Sequence, residues 1–490
     1  MPARRLHAPL ATSLAGLLLA AGCSDSGGPE KSDPPKVTAG AASSARAQTG
    51  GQPVKEGWFG AADGLHARVE VKGVERQGAK SVLRYTVTSL DAAAKSVPFA
   101  VRLLDPVGRK LYKPLAPGAA SEQFPPNAPR EMTAEYPPIP AAVEKITVIT
   151  PGTAGEFTGV PVTGTGDAPA PTSGEAAPTD NPAELYDITE GEIKDVTSSG
   201  SDVTMNLRTD VLFAFDSAKP SGRAASVLDQ AAKGIKEKAD PGKRPLTFNG
   251  HTDSKGGDGY NLKLSRERAE AVMKELKNRL GGSFKYSAHG KGEAEPIAKE
   301  GGADDAKARA RNRRVEISYS VRQQADGATN ASTAAADGRG GTVRPAGFRA
   351  QDGATVASRF GRFGGAKRRL DVKPFYRDGA YIVAVFDLVD EGPGSTPPDA
   401  AYPHKDYPGG AFTSFSVLAP GGTDVYRAVR VGPAPAGGSA AYVDPGRATF
   451  RTAIDQPVRG FAYIPAPPGP ISSVVFDGGP FGKVNNVPVS

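Results

Sequence analysis

Cysteine is nearly absent from this chain of 490 residues, where Cys23 is the single example. No disulfide can therefore form within the chain. The histidines that follow it are His66, His251, His289 and His404. They lie far apart and have no second ligand at metal-binding spacing, so no metal site is expected. A Gly-x-Ser-x-Gly elbow and a phosphate loop are also missing, which counts against several common enzyme classes.

Long apolar runs are scarce as well, whereas glycine (60) and proline (44) are plentiful. A single core stops growing near about 250 to 300 residues, so this length predicts about three domains joined by Gly- and Pro-rich connections. The net charge of +7 and the pI near 9.2 favour an anionic partner. Wall polymers, phospholipids and nucleic acids all meet that description, and charge alone does not choose among them.

The N-terminus carries the features of an export signal. Arg4 and Arg5 precede the apolar stretch Leu14–Ala20, which is too short to span a bilayer. The stretch ends at Ala-Ala-Gly-Cys23, which resembles a lipobox. This resemblance implies a signal peptide over residues 1–22 and a diacylglyceryl thioether on Cys23. Two alternatives stay open, an ordinary secretory signal and a twin-arginine signal, although the residues after Arg5 fit the latter poorly.

Composition divides the rest of the chain. Residues 23–54 contain almost no bulky apolar side chains and are expected to form a disordered tether. Two further Pro-, Ala- and Gly-rich stretches predict linkers. The resulting domain prediction is a β-sandwich at 55–163, a linker at 164–183, a central domain at 184–321, a linker at 322–346 and a second β-sandwich at 347–490.

Short alternating runs favour strands in both flanking domains. Ser81–Thr88 places Leu83, Tyr85 and Val87 on one face, and Tyr381–Val389 is the most continuous strand of the last domain. We therefore predict two all-β, immunoglobulin-like sandwiches. Their closing segments share a pattern of Ile-Pro, Phe and Val-Pro-Val, which indicates an internal duplication or a convergence of composition.

The central domain alternates strands and helices. The predicted strands are 211–215, 246–249, 284–288 and 315–319. A first helix is expected from Pro220, with a buried stripe made by Val227, Leu228, Ala231 and Ile235. A second helix is expected to bury Leu262, Ser265, Ala269, Val272, Leu276 and Leu280.

Four motifs in this domain occur in a fixed order. They are Phe-Ala-Phe-Asp-Ser at 213–217, Gly-His-Thr-Asp-Ser-Lys-Gly at 250–256, Leu-Ser-Arg-Glu-Arg-Ala at 264–269 and Arg-Asn-Arg-Arg-Val-Glu-Ile at 311–317. Together they resemble the OmpA-like peptidoglycan-binding domain. The resemblance covers residues 184–321 and implies a central α/β (α+β) domain of βαβαββ order that binds a wall peptide and has no catalytic activity.

The resemblance also implies a binding site. Asp253 and Arg268 are expected to hold the diaminopimelate of the stem peptide, while Asn261 and Arg313 line the pocket. Contacts from Asp216 and Thr252 are implied as well.

Helical spacing agrees with part of this site. Asn261 and Arg268 are seven residues apart and are expected to share one side of the second helix, away from the apolar stripe. Asp253 lies in a Gly-bracketed loop just before that helix, so its carboxylate would take an ammonium while the Arg268 fork takes a carboxylate. A structural Asp253–Arg268 ion pair, and a role for Asp216 as a turn residue, are the competing interpretations.

The basic run Lys367-Arg-Arg369, near Phe360 and Phe363, allows two interpretations: a nucleic-acid patch, or a solvated strand edge that contacts anionic wall polymer. An exported chain favours the second.

The functional prediction is a membrane-anchored lipoprotein, extracytoplasmic in the cell envelope, that ties the membrane to peptidoglycan. It is expected to use no cofactor, metal or nucleic acid and to catalyse nothing. In the alternative, the wall domain is only an address and the β-domains act as a receptor or assembly factor for another envelope protein. A third possibility, an ion-driven stator component, needs a membrane helix that the sequence does not offer. The number of membranes, the diaminopimelate isomer and the oligomeric state stay open.

Overall fold

The computed structural model describes residues 52–60, 64–116, 121–165, 181–302, 305–322, 341–363, 365–393, 401–433, 439–446 and 454–490. The predicted signal peptide, Cys23, almost all of the tether and most of both linkers lie outside these residues. Below, residues 52–165 are the first part, 181–322 the central part and 341–490 the last part. Among the described residues, no helix has the length and apolar character that a membrane crossing requires.

The first part is built from strands. They are β1 Val54–Phe59, β2 Leu65–Gln77, β3 Lys80–Ser89, β4 Lys95–Val97, β5 Arg102–Asp105, β6 Lys110–Tyr112, β7 Glu122–Phe124, β8 Pro129–Tyr136, β9 Lys145–Ile149 and β10 Glu156–Thr163. Strands β1, β2, β3 and β8 pair in that order, and β10 joins β2 on one side and β9 on the other. Leu83, Tyr85 and Val87 all enter the core, as the alternation in β3 predicts.

The central part contains every α-helix of the described residues. Its elements are β11 Ala183–Glu190, β12 Lys194–Ser198, β13 Asp202–Arg208, α1 Thr209–Leu212, α2 Ala224–Lys238, β14 Leu246–His251, α3 Asp258–Leu280, β15 Tyr286–Gly292, α4 Asp305–Asn312 and β16 Arg314–Ser320. The sheet order is β12, β13, β16, β14 and β15, with β14 and β15 parallel. Helices α2 and α3 share one apolar core with this sheet. The predicted mixed α/β character is confirmed.

Two details of the central prediction are wrong. Residues 211–215 are not a strand: the chain turns at α1, and Phe213 N donates to Thr209 O at 2.8 Å. The strand before it, β13, ends at Arg208, and a short apolar run alone does not separate a strand from a helical turn. The helix expected from Pro220 begins at Ala224, although its predicted stripe is buried.

The face of α3 also differs from the prediction. Leu262 is 52% exposed, whereas Asn261 and Arg268 are 2% and 6% exposed. These two polar residues do share one side of the helix, but they border the buried stripe instead of facing away from it. Hydrogen bonds to nearby groups offset the cost of burying their polar atoms. The prediction considered only the apolar residues of the helix and therefore missed this burial.

The last part returns to strands. They are β17 Ala357–Phe363, β18 Ala366–Val372, β19 Tyr376–Asp378, β20 Tyr381–Asp390, β21 Ser416–Leu418, β22 Val425–Arg427, β23 Arg430–Val431, β24 Ala441–Tyr442, β25 Pro457–Pro465, β26 Ser473–Asp477 and β27 Lys483–Pro488. Strand β20 lies between β18 and β25 and is almost wholly buried, as its continuous apolar run predicts. Extensive β-sheet therefore flanks the central part in sequence, while the immunoglobulin-like class of these regions stays a prediction.

Strand β11 joins all three parts. It pairs with β12 of the central part, with β6 of the first part, and with β22 and β23 of the last part. The apolar cluster around it combines Leu111, Leu185, Val383 and Tyr463, among others. The described residues accordingly belong to one compact unit.

A buried ion cluster connects the first and last parts. Arg459 Nη2 donates to Glu156 Oε1 at 2.6 Å and Arg459 Nε to Asp352 Oδ2 at 2.6 Å, while Lys55 Nζ lies 3.3 Å from Glu156 Oε1. Burial alone raises the pKa of Glu156, but the adjacent Arg459 and Lys55 hold it below its usual value. Both carboxylates therefore stay ionised inside the protein.

Candidate functional site

The loop after β14 is held by a close approach of strand to helix. A Cβ on Gly250 would lie 1.9 Å from the backbone oxygen of Ser265, so only glycine allows β14 to run this close to α3. Thr252 N then donates to Gly292 O at 2.9 Å, which fixes the start of the loop. These contacts place Asp253 between the end of β14 and the start of α3.

Asp253 is 9% exposed and has an arginine partner. Its Oδ2 accepts from Arg313 Nη1 at 2.6 Å, and its Oδ1 accepts from Lys255 N at 3.2 Å. Arg313 also donates to Asp210 through Nε at 2.9 Å and Nη2 at 2.5 Å. Hydrogen bonds from Arg313 to Asp210, and then to Asp253, raise the pKa of Arg313. The arginine paired with Asp253 is thus Arg313, and no Asp253–Arg268 ion pair forms.

Arg268 is held without a carboxylate partner among the described residues. Its Nε donates to Ser217 O at 3.0 Å, and its guanidinium lies 5.5 Å from the centre of the Phe213 ring. Burial lowers the pKa of Arg268, and the nearby carboxylates of Asp210, Asp216 and Asp253 act in the opposite direction. The site therefore presents a fixed cation close to a group of carboxylates.

The other predicted residues lie in different settings. Asn261 Nδ2 donates to Glu293 Oε2 at 2.6 Å, inside the protein. The Thr252 hydroxyl is buried and has no hydrogen-bond partner among the described residues. Asp216 is exposed and has a left-handed backbone with φ 56°, as a turn residue does. The structure thus groups Asp253, Arg313 and Arg268, with Asp216 at their edge and Asn261 behind them.

Several residues around the site were not predicted. Asp210 holds Arg313, the Phe213 ring faces Arg268, and Glu300 Oε2 accepts from Ser254 Oγ at 2.5 Å beside Asp253. Phe213 is the first residue of the motif at 213–217, so the sequence could have indicated it as a site residue. Asp210 and Glu300 stand outside the motifs, and no sequence pattern indicates them.

His251 is a buried histidine next to this loop. It is 1% exposed, and neither ring nitrogen has a hydrogen-bond partner among the described residues. Burial, and then the charges of Arg314 and Lys291, lower the pKa of His251 from 6.5 to about 3. The ring is therefore neutral and acts as part of the packing.

A cavity of about 400 Å³ lies between the central and last parts. Asp210, Lys307 and Arg311 line it from the central part, and Asp406 and Arg427 from the last part. Because Asp210 also holds Arg313, this cavity shares one wall with the site described above.

The basic run Lys367-Arg-Arg369 is paired within the last part. Lys367 and Arg369 bind the two oxygens of Glu391 at 2.9 and 2.7 Å, and Arg368 is buried 3.7 Å from Asp390. The described part of the chain also contains no group of three or more potential metal ligands.

Comparison with known proteins identifies the family of the central segment. Residues 212–313 match the OmpA family, and the segment includes Asp253, Arg268 and Arg313. The chain therefore contains an OmpA family domain, of the kind expected from the four motifs.

Two curated relatives and one solved structure illustrate the similarity. The probable lipoprotein YiaD of Escherichia coli is 36% identical over 140 residues, which are 28% of this chain and 60% of that protein. Outer membrane protein A of Shigella flexneri is 36% identical over 153 residues, 29% of this chain and 39% of that protein. The crystal structure of the peptidoglycan-associated lipoprotein from Burkholderia pseudomallei is 31% identical over 22% of this chain and 87% of that chain, with a TM-score of 0.19. This chain thus spans less than two thirds of the length of either curated relative.

Proposed function

We propose that this protein is a noncatalytic component of the cell envelope that binds peptidoglycan through its OmpA family domain. The family match and the names of the relatives, among them an outer membrane protein and lipoproteins, support this class of function. No cofactor or metal enters the proposal.

The unpaired guanidinium of Arg268 is the observation that carries it. The side chain is 6% exposed, and the nearby carboxylates of Asp210, Asp216 and Asp253 make no ion pair with it, so its burial is costly. Ser217 and Phe213 hold the guanidinium in place, so little side-chain entropy remains to be lost when a ligand binds. A ligand carboxylate would accept two parallel hydrogen bonds from this fork.

The neighbouring carboxylates define the other half of the ligand. Asp210 and Asp253 share one guanidinium, that of Arg313, so the three groups together keep a net negative charge. An ammonium group of the ligand would neutralise that negative charge, and Asp216 lies at the edge of the site. A compound with both an ammonium and a carboxylate at one end fits, and the diaminopimelate of a wall stem peptide is such a compound.

Asn261 and Thr252 have a supporting role in this proposal. Asn261 ties the start of α3 to Glu293, and Thr252 ties the Asp253 loop to β15. Both keep the ligand-binding groups at fixed positions. Mobility of the residues that support a binding site weakens binding.

Membrane attachment completes the proposed function. A diacylglyceryl group on Cys23 would hold the protein on a membrane, and residues 23–54 would let the folded unit reach the wall. Two acyl chains give stable attachment, since each buried methylene contributes about 0.8 kcal/mol.

A receptor or assembly role for the two β-rich parts is the second candidate. Strand β17 lies at the edge of its sheet and carries Phe360, which is 55% exposed. An edge strand with an exposed aromatic residue is able to pair with a strand of another envelope protein. We place both parts in the immunoglobulin-like sandwich class on the basis of their strand pattern.

Sedimentation of the full chain with insoluble peptidoglycan tests the proposal. Arg268→Ala and Asp253→Ala should each weaken binding at least about tenfold, as is typical for loss of a buried charged contact. Arg279→Ala is the matched control, because it removes an ion-paired arginine from the same helix, far from the site. Equal sedimentation of the native chain and of all three folded variants would show that the OmpA family domain binds no wall peptide at this site.

A further inference from the structure

Three consecutive residues, the last two of α4 and the one that follows it, make three different contacts. Arg313 holds Asp253, as described above. Asn312 holds the segment 297–300: its Oδ1 accepts from Ile297 N at 2.9 Å and Ala298 N at 3.0 Å, and its Nδ2 donates to Glu300 Oε1 at 2.6 Å. Arg311 points the other way, toward the last part of the chain.

Arg311 is bound by Asp406 and Tyr407 of the last part and by Glu190 of the central part. Its Nη1 donates to Asp406 Oδ2 at 2.6 Å, and its Nη2 donates to the Tyr407 hydroxyl at 2.9 Å and lies 2.7 Å from Glu190 Oε1. The hydroxyl of Tyr407 in turn donates to Glu190 at 2.6 Å. Arg311 is 7% exposed, so this contact between an arginine, two carboxylates and the Tyr407 hydroxyl is buried.

Asp406 makes a second contact with the central part. Its Oδ1 accepts from the backbone of Lys299 at 3.3 Å. The next residue, Glu300, accepts from both the backbone and the hydroxyl of Ser254, at 3.3 and 2.5 Å. Burial raises the pKa of Glu300, but its hydrogen bonds to Ser254 and Asn312 hold that pKa below the usual value. Glu300 thus remains a charged acceptor beside Asp253.

Two routes therefore connect one carboxylate of the last part to the same loop. The first passes through Lys299, Glu300 and Ser254, and the second through the backbone from Arg311 to Arg313. Asp406 lies outside the residues that match the OmpA family, so the contact is an addition to that domain.

We propose that Asp406 is a positioning residue for the wall-binding site, which makes the last β-rich part a support for the loop that carries Asp253. The effect on binding rests on the proposed function, because it assumes that a displaced Asp253 loop would bind the stem peptide less tightly. The positioning itself is a property of the protein without ligand and can be measured separately.

The experiment uses the full chain and two readouts. Hydrogen exchange of the amides at 252–256 reports the loop, and sedimentation with insoluble peptidoglycan reports binding. Asp406→Ala should speed exchange in this loop and weaken binding about 3- to 30-fold, the range of typical coupling energies. Asp387→Ala is the control, because Asp387 has an ion pair with Lys373 at 2.9 Å inside the last part. If Asp406→Ala fails to fold, Tyr407→Phe removes only a hydroxyl of the same contact and should shift both readouts in the same direction.

A double-mutant cycle separates positioning from general destabilisation. In the Asp253→Asn background, Asp406→Ala should have little further effect on binding, whereas a merely structural role gives additive effects. Unchanged exchange at 252–256 in Asp406→Ala, or additive binding losses, would overturn the inference. If the native chain does not sediment with peptidoglycan, the proposed function fails, and the exchange data alone decide whether Asp406 positions the loop.

Discussion

At the scale of single residues, surroundings decide what each charged group does. Arg268 and Arg313 lie near the same carboxylates. Arg313 forms ion pairs with both Asp210 and Asp253, whereas Arg268 contacts the Ser217 carbonyl oxygen and the Phe213 ring. Identical side chains therefore have different surroundings: Arg313 links two carboxylates, whereas Arg268 has no carboxylate partner among the described residues. The motifs that contain Arg268 and Arg313 were visible in the sequence, but the pairing of Arg313 with Asp253 was not predicted.

The buried His251 should make the stability of the protein depend on pH. Its pKa is about 3 in the folded protein against 6.5 in a solvated chain, so the unfolded chain binds the extra proton between these values. Stability should therefore fall as the pH drops below about 6.5 and level off below about 3, with a loss of roughly 2 to 3 kcal/mol by pH 4.5.

His251→Leu should remove this part of the pH dependence, because leucine does not titrate. The exchange should be tolerated, since among the described residues the ring makes no hydrogen bond that leucine would lack. The thermal unfolding midpoint, recorded from pH 7 to pH 4.5, measures the effect. His289→Leu, at an exposed position, serves as the control. Parallel curves for the native chain and His251→Leu would contradict the assignment.

At the scale of elements, the contact of β14 with α3 sets the geometry of the site. Asp253 follows the strand and Arg268 lies on the helix, so their separation depends on how closely these elements pack. Gly250→Ala should cost about 3 kcal/mol or more, because the backbone of Ser265 cannot yield as a side chain does. Gly259→Ala meets open space in the first turn of α3 and should be neutral or slightly stabilising. Chemical denaturation of both variants checks this, and equal stabilities would refute the close contact.

Elements with a strong period were predictable from the sequence. The alternation in β3, the apolar run of β20 and the stripe of α2 all form as expected. Segment 211–215 was mistaken for a strand because a short apolar run fits both periods. Strands β11 and β12 were not predicted, although they pair with each other as a local hairpin. The pairing of β11 with β6, β22 and β23 could not be predicted, because those partners lie far away in sequence and nothing local to β11 indicates them. The Asp406–Arg311 contact could not be predicted for the same reason, because its two residues lie far apart in sequence.

At the scale of the whole molecule, buried charge connects the first part to the last. Removing Arg459 would leave Glu156 and Asp352 buried with little compensation, so Arg459→Ala should cost about 3 to 5 kcal/mol. Arg68→Ala breaks the exposed pair with Glu56 and should cost less than about 1 kcal/mol. Scanning calorimetry measures both losses. A small effect of Arg459→Ala, with the first and last parts melting separately, would mean that the cluster does not join them.

Strand β11 also affects how the protein is made. It is synthesised before the last part, and its partner residues in β22 and β23 follow 235 to 246 residues later. At about 5 to 20 residues per second, one edge of β11 waits roughly 10 to 50 s for its neighbours. During that interval the unpaired edge of β11 is a template on which a wrong strand can pair.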